Sequence, residues 1–576
     1  MASSPGHICH CLSGLLHLRR ESTFIISGDR RRTGMEFVDG VLSLACGLLE
    51  SGLLHEKEVV AIAALNSEWY MEWMLAVTYV GGIIAPFNYR WVISLKGSRE
   101  TCLSVVVVIV SLLLLDSTLT WRYIELQVSL KLCALIGGIT LPILSVSVNV
   151  RTTDSIRKPS YGQLCDPICS TDGVALICFT SGTTGQPKGV AISHKAIVIQ
   201  SLAKIAIVGY GEDDVYLHTA PLCHIGGISS CMAMLMVGGC HVFIPKFDAK
   251  LAFAAVEQCH VTSLITVPAM MADLIILNRK SRRWSGETVN KILNGGGSLS
   301  EELVQGAINV FPKAKIISAY GMTEACSSLT YITLHDPAAQ KLRSNLSNSE
   351  VFNSNSLQQH GVCVGKPAPH IELKISCDRA SSGSPLMGRI LTRGLHVMAG
   401  YWHQSAQTFD SNDSCWLDTG DVGWLDSRGK LWLLGRTKDR IKSGGENIYP
   451  EEVEAVLRQH SGVAGAVVVG IPDNRLTEKV VACVSIRENW RWVSSDTNKF
   501  LEMNELSSEM LRNFCRQRNL TGFKIPKVCM PWRKPFPLTT TGKVIREDVK
   551  KEILLHASEI RGGFHKDEYI KTLGKT

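Results

Sequence analysis

Thr180-Ser181-Gly182-Thr183-Thr184-Gly185-Gln186-Pro187-Lys188-Gly189 follows directly on the apolar run Val174 to Phe179, VALICF. The run predicts a buried strand. The glycines at 182, 185 and 189 let the chain beyond it turn sharply and bring amide N–H groups close to an anion. Thr180, Ser181, Thr183 and Thr184 add hydroxyl donors, and Lys188 adds a mobile positive charge. Such a loop suits phosphates. Its spacing is not Gly-x4-Gly-Lys-Ser/Thr, because Pro187 precedes the lysine and Gly189 follows it, which disfavours an ordinary P-loop kinase.

Outward from this loop, 576 residues are too many for one core and predict at least two domains. A content of 45% hydrophobic and 19% charged residues fits a globular enzyme. The net charge of +8 is scattered, so no nucleic-acid stripe is expected, while anionic substrates are not opposed. The 19 cysteines show no repeated CxxC pairs, which points away from a disulfide framework or a zinc site and towards a reducing compartment. Cys9-His10-Cys11 lacks the spacing of a closed tetrahedral site and reads as ordinary thiols. No acid precedes Glu21, a composition that weakly resembles a transit peptide, but the helical apolar spacing of Phe37 to Leu53 leaves room only for a short leader. The ending Leu573-Gly574-Lys575-Thr576 is not a peroxisomal Ser-Lys-Leu address.

Between residues 36 and 90 an amphipathic helix, a strand at Val59 to Ala63, a helix through Trp69 to Val80 and a Gly81-Gly82 break give the rhythm of an α/β layer. Residues 91–159 are atypical. Leu103 to Leu115 is an uncharged run of thirteen, too short for a membrane helix, and Leu132 to Val150 is an uncharged run of nineteen diluted by polar residues. Buried parallel strands account for the first run, a transmembrane helix for the second, and local divergence or a mistranslated exon for both; the polarity of the longer run favours the last over membrane insertion. From 174 to 330, strands at Val242 to Ile244, Ser263 to Thr266, Lys291 to Asn294 and Lys315 to Ser318 alternate with helical segments, the pattern of a doubly wound sheet. Residues 338–360 are expected as a surface loop. Beyond Gly435, a helix opened by Pro450 with Glu451 and Glu452 in its first turn precedes strands at Ala464 to Gly470 and Val480 to Ile486, a compact α+β unit.

The string from Thr180 to Gly189 resembles the signature of the adenylate-forming superfamily, which includes acyl-CoA synthetases, luciferases and peptide-synthetase adenylation domains. Later segments follow in the family's order. Ser318 to Glu324 (SAYGMTE) resembles its Tyr-Gly-x-Thr-Glu motif, after the Gly-rich turn Gly295-Gly296-Gly297. Trp416 to Gly423 (WLDTGDVG) resembles its Thr-Gly-Asp motif, and Pro537 to Lys543 (PLTTTGK) its last lysine motif.

The resemblance implies an α/β fold. A large N-terminal domain over 1–435, of doubly wound sheets plus a small β-barrel-like subdomain, precedes a hinge at 436–440, a mobile α+β C-terminal domain at 441–560 and a tail at 561–576. It implies ATP, Mg²⁺ and CoA as the molecules bound. Tyr320 would pack on adenine, Gly321 would let the backbone approach, and Thr323 would meet the α-phosphate. Glu324 and Thr184 would hold magnesium, and Asp421 and Arg436 would take the ribose. Lys438 would be the hinge, Ser443, Gly444, Gly445 and Glu446 would line the CoA channel, and Lys543, Glu324 and Lys188 would carry adenylation. A carboxylate would attack the α-phosphorus of ATP, pyrophosphate would leave, and the CoA thiol would then displace AMP from the acyl-adenylate.

Gly209 to Thr219, Ile265 to Leu274, Lys291 to Ser300 and Ser318 to Thr330 resemble segments of ligases for an aromatic acid with a second carboxylate, and imply a plastid or peroxisomal address. His224, Gly227 and Ser318 are the candidate acid contacts. Lys204 and Ser229 are further donors, although a lysine on a helix surface is expected to be solvated. Cys223 and Cys326 read as pocket wall, since no protein nucleophile is required. A ligase for another aromatic acid, such as a hydroxycinnamate, and a non-catalytic relative whose 91–159 segment does not fold stay open alternatives.

Overall fold

The computed structural model describes residues 6–52, 54–88, 105–111, 132–136, 150–159, 173–180, 188–281, 284–339, 361–377, 386–402, 409–410, 413–493, 504–518, 520, 522–539 and 543–561. Ser181, Gly182, Thr183, Thr184 and Gly185, and residues 340–360 of the expected surface loop, lie outside these. The chain divides into two compact units, one of 1–348, 364–373 and 392–417, the other of 349–363, 374–391 and 418–576.

In the first unit, the helix Gly34–Glu50 begins at a capping box: Thr33 Oγ1 accepts from the Glu36 amide and Glu36 returns a bond to the Thr33 amide. It packs closely on the helix Glu68–Tyr79, because Gly40 leaves space for the buried Glu72 carboxylate, which Arg32 and Arg157 neutralise at 2.5 and 2.6 Å.

One sheet runs in the order Ser327–His335, Lys315–Met322, Lys291–Asn294, Ser263–Thr266, Val215–His218, Cys240–Phe243, Thr23–Ser27, Arg30–Thr33. Neighbours are parallel from Lys315–Met322 to Thr23–Ser27. Residues alternate faces along these strands, so each strand feeds two cores. Leu217, Leu264, Ile292 and Ile316 pack with Phe253, Met271 and Ala307, whereas Tyr216, Ile265, Leu293 and Ile317 pack with Ala233 and Met234. Helices thus cover both faces, the condition under which a parallel sheet is stable.

The second sheet of this unit runs Gly400–Tyr401, Gly189–Ser193, Val174–Phe179, Ile83–Pro86, Val59–Ala63, Val105–Ser111, Leu132–Ile136, Val150–Thr152. Both apolar runs of the atypical segment therefore contribute strands, the first in parallel register with Val59–Ala63 and the second with the first. Among the described residues no helix is long and apolar enough to cross a membrane.

In the second unit the strands Val463–Asp473 and Thr477–Ile486 pair over almost their whole length. Their alternation again separates two cores: Val468, Val480 and Ala482 meet Val453 and Leu511, while Val467, Val481 and Cys483 meet Trp532, Val549 and Ile553. The helix Pro450–Leu457 opens with Pro450, and Glu451 and Glu452 stand in its first turn.

Four buried histidines of the first unit carry a stability signature. Burial, first of all, lowers His7 and His396 to about 4 and His194 and His241 to about 3. All four are neutral in the fold, while the unfolded chain protonates them near about 6.5. Their contribution is present above that value and lost as pH falls towards about 4 and then about 3, because the unfolded state takes up more protons. Denaturant unfolding at about pH 5.5 is expected to show about 1 kcal/mol less stability per histidine than at about pH 7.5.

Candidate functional site

The Thr180 to Gly189 string is flanked by the two strands of a hairpin. Val174–Phe179 and Gly189–Ser193 are antiparallel, Phe179 faces Gly189, and the Thr180 amide donates to the Lys188 carbonyl at 3.0 Å. Tyr401, from the strand Gly400–Tyr401, lies beside Val190 in the same sheet. Lys188 Nζ sits 4.7 Å from the centroid of the Tyr401 ring, a cation over a π face. The Tyr401 hydroxyl donates to Glu324 Oε1 at 2.9 Å. Burial and then the neighbouring Glu324 push the Tyr401 phenol above its ordinary range, so the hydroxyl stays protonated and remains a donor. Lys188 and Glu324 are thereby organised around one ring. Tyr401 was not foreseen from the sequence; the Gly400-Tyr401-Trp402 cluster was its only signal.

Glu324 lies in the turn of a second hairpin, Lys315–Met322 against Ser327–His335, with Met322 opposite Ser327. Thr323, Glu324 and Ala325 form a single 3-10 turn, after which Cys326 and Ser327 take φ of 50° and 109°. Gly321 is required here by packing. A Cβ on it would stand 1.7 Å from the Ser327 carbonyl oxygen, so the backbone that comes close at this position is the chain's own. Tyr320 faces Thr330 across the same ladder.

The Gly295-Gly296-Gly297 turn closes the parallel strand Lys291–Asn294 at its carboxyl end, where open α/β sheets bind ligands. Gly296 has φ of 73°, and a Cβ on Gly295 would meet nothing within 4 Å. Thr266, Asn294 and Ser318 are aligned across three neighbouring strands at this end. Asn294 Nδ2 donates to the Gly297 carbonyl at 2.7 Å and to Ser318 Oγ at 3.3 Å. Thr266 Oγ1 and Asn294 Oδ1 are buried with no partner among the described residues. A row of polar groups next to open space fits a nucleotide or acid better than it fits a core.

His224 caps the helix Ile225–Val237, and Gly227 is demanded by the Pro221 carbonyl, 2.3 Å from the Cβ it lacks. Cys223 and Cys326 are both buried, and burial pushes the Cys326 thiol up to about 12, which leaves it un-ionised. Lys204 departs from expectation. It is 1% exposed, not solvated, because the helix His194–Lys204 packs against the helix Ile225–Val237 and its last side chain turns inward.

In the second unit, Asp421 and Arg436 are cross-strand partners, with Arg436 Nε 3.3 Å from Asp421 Oδ1. Asp421 is buried and Thr419 Oγ1 accepts from its amide. Lys438 is exposed. Its neighbour Asp439 pairs with Arg546 at 3.2 Å, and Arg546 also holds Glu451 and Glu454, each at 3.0 Å. Burial pushes the Glu451 carboxyl up to about 7, with Arg546 opposing. Arg546 stands three residues beyond Lys543 and was not singled out in the sequence. Ser443 and Glu446 close a two-residue turn whose glycines, 444 and 445, take φ of 61° and 86°, the mirror-image geometry that suits a hairpin. Lys543 is exposed on the loop that the Leu538 and Val544 bridge closes, and Thr539 Oγ1 accepts from its amide at 3.0 Å.

The family described as AMP-binding enzyme matches residues 17–402, and the AMP-binding enzyme C-terminal domain matches 452–543. The chain belongs to the AMP-binding enzyme family. This AMP-binding enzyme is 52% identical, over 96% of its length and 98% of the relative's, to the chloroplastic/peroxisomal 2-succinylbenzoate–CoA ligase of Arabidopsis thaliana. It is 28% identical, over 88% of its length and 90% of the relative's, to an indoleacetate–CoA ligase of Aromatoleum aromaticum. Its fold matches the o-succinylbenzoate CoA synthetase of Bacillus subtilis in complex with an acyl-adenylate, with a TM-score of 0.69 and 23% identity over 94% of this chain and 97% of that one. The AMP-binding enzyme is therefore a mixed α/β protein with a large N-terminal and a C-terminal domain.

Two variants test the geometry. Gly321→Ala is expected to cost at least about 1–3 kcal/mol, by the usual cost of overpacking, and to lower the melting temperature seen by scanning calorimetry. Arg546→Ala leaves Asp439, Glu451 and Glu454 without their shared cation and is expected to cost about 3–5 kcal/mol in denaturant unfolding.

Proposed function

We propose that the chain is an AMP-forming acid–CoA ligase that converts 2-succinylbenzoate to 2-succinylbenzoyl-CoA, a step of phylloquinone synthesis. The observation that carries this reading is the 52% identity over nearly the full length of a ligase of that name, joined to a Glu324–Tyr401–Lys188 arrangement suited to phosphates. That relative is named chloroplastic/peroxisomal, which supports a plastid or peroxisomal location.

The roles assigned to the residues are those the family resemblance implies. Gly295 to Gly297, Tyr320, Gly321 and Thr323 receive the adenine and α-phosphate, and Asp421 accepts from the ribose hydroxyls, as a carboxylate with two oxygens can. Arg436, 3.3 Å away, holds Asp421 in place. Thr180 to Gly185 supply amide and hydroxyl donors to the phosphates. The acid lies towards His224, Gly227 and Ser318, where its carboxylate attacks the α-phosphorus and pyrophosphate leaves. Lys188 and Lys543 stabilise the charge that gathers on the phosphate oxygens.

Mg²⁺, when bound, neutralises phosphate charge. Glu324 suits it, since Mg²⁺ takes one or two hard carboxylates and otherwise keeps water and phosphate oxygens, and Thr184 is its second proposed ligand. The CoA thiol then attacks the acyl carbonyl and AMP departs, with Ser443 to Glu446 along the pantetheine. Residues 436–440 form the hinge, with the exposed Lys438 as pivot, between a domain of 1–435 and a mobile α+β domain of 441–560; 561–576 is a tail. Doubly wound sheets and a β-barrel-like subdomain complete the first domain.

Incubation with ATP, CoA and a panel of acids is expected to yield AMP and thioester with 2-succinylbenzoate far faster than with 4-coumarate or fatty acids. A preference for 4-coumarate would overturn the substrate, and no pyrophosphate exchange with any acid would overturn the reaction. Lys543→Ala is expected to slow adenylation about 10²–10³-fold, as loss of one transition-state donor does, while thioester formation from preformed acyl-adenylate and CoA persists.

A further inference from the structure

Lys204 is the one described lysine whose ammonium is enclosed by protein and met by hydroxyls alone: Ser229 Oγ, Ser230 Oγ at 3.2 Å and Ser327 Oγ at 3.1 Å. Among the described residues no carboxylate pairs with it. An ammonium taken out of water without a counter-charge is costly, and proteins ordinarily supply a carboxylate. Burial accordingly pulls Lys204 down to about 7, and the nearby Cys326 thiol, itself held neutral, does not provide the missing charge.

The hydroxyls have a consequence of their own. Each accepts from the ammonium with a lone pair; Ser229 Oγ gives its proton to the Gly226 carbonyl at 3.5 Å, whereas Ser327 Oγ stands 3.4 Å from the Ser328 hydroxyl, which can donate to it and leave the Ser327 proton to be given elsewhere, in a cluster with no negative charge. Such a cluster fits an anion.

Its position says which one. Ser229 lies two residues beyond Gly227 and five beyond His224; Ser327 lies three beyond Glu324, and its carbonyl is the group Gly321 makes room for. Ser327 is also held at φ of 109°, unfavourable for a residue with a side chain, and at 9% exposure it is the member of the cluster nearest the surface. The ammonium thus stands between the two segments assigned above to the acid and to the phosphates.

We propose that Lys204, held by Ser229, and Ser327 receive the second, non-reacting carboxylate of the acid and so select a dicarboxylate. The proposal rests on the ligase reading and specifies its substrate pocket. Ser327 donates its proton outward to that carboxylate, and Lys204 supplies the charge behind it.

The test compares 2-succinylbenzoate with benzoylpropionate, which keeps the reacting chain and the ring but lacks the ring carboxylate. For the full-length protein, kcat/KM in the pyrophosphate-release assay is expected to favour the diacid. Lys204→Met is expected to lower kcat/KM for the diacid about 100-fold or more, the loss typical when one partner of a buried charge pair is removed, and to leave benzoylpropionate unchanged. Lys204→Arg restores part of the difference, and Ser327→Ala lowers the diacid selectively.

Equal losses for both acids in folded Lys204→Met, or a wild type that prefers benzoylpropionate, would overturn the proposal and leave the ligase reading standing. If Lys204→Met does not fold, Lys204→Gln, which keeps a polar head, replaces it with the same expected outcome. Calorimetric titration of each acid without ATP separates the two readings further. Lys204-dependent binding of the diacid in a protein that turns over no acid sinks the ligase reading alone, and diacid binding that is indifferent to Lys204 sinks this one.

Discussion

The contact between Gly321 and the Ser327 carbonyl is the constraint from which the chemistry-bearing part of the first unit hangs. With no Cβ in the way, the strands Lys315–Met322 and Ser327–His335 close to a turn of four residues, and Glu324 has no freedom to be elsewhere. The same closure fixes the Glu324 carbonyl as acceptor for the Met398 amide and its carboxylate as acceptor for Tyr401. It also forces Ser327 into a left-handed backbone, with its hydroxyl against a buried ammonium. One missing methyl group thus sets an acid on one side of the turn and a cation on the other.

The second unit uses charge where the first uses closeness. Asp421 and Arg436 meet because two antiparallel strands place them opposite each other, and Thr419 satisfies the amide that the tight Gly420 turn would otherwise leave open. Arg546 gathers three acids from two segments that the sequence keeps more than ten residues apart, Asp439 and the pair Glu451 and Glu454. Removing such a hub exposes every partner to the same unmet charge, so it acts as a unit rather than as a sum of pairs.

What could be read from the sequence was what local chemistry decides. Val59–Ala63, Ser263–Thr266 and Lys291–Asn294 are short runs rich in branched or apolar residues, and they appear as strands where expected. The helix at Pro450 shows its own start signals. The strand at Lys315 runs on through Tyr320 and Gly321 to Met322, past the expected end at Ser318, because pairing with Ser327–His335 outweighs the glycine. The atypical run Val105–Ser111 gave no periodicity to separate strand from helix, and only its parallel neighbours do so. Lys204 looked like an ordinary surface residue, since nothing local marks a lysine whose helix is covered on that side by another helix. Tyr401 meets Glu324 from 77 positions away, a distance no spacing rule spans.

The hairpin that carries the Thr180 to Gly189 string has a bearing on how charge is placed there. In strand-to-helix phosphate loops, the amide ends of the helix contribute a standing partial charge that needs no side chain. Here the chain returns along Gly189–Ser193 as an antiparallel strand, and its helix begins only at His194. Sheets of this kind have almost no net dipole. Among the described residues of this hairpin, 173–180 and 188–193, the only full charge is the Lys188 amine, and ions in solution screen it.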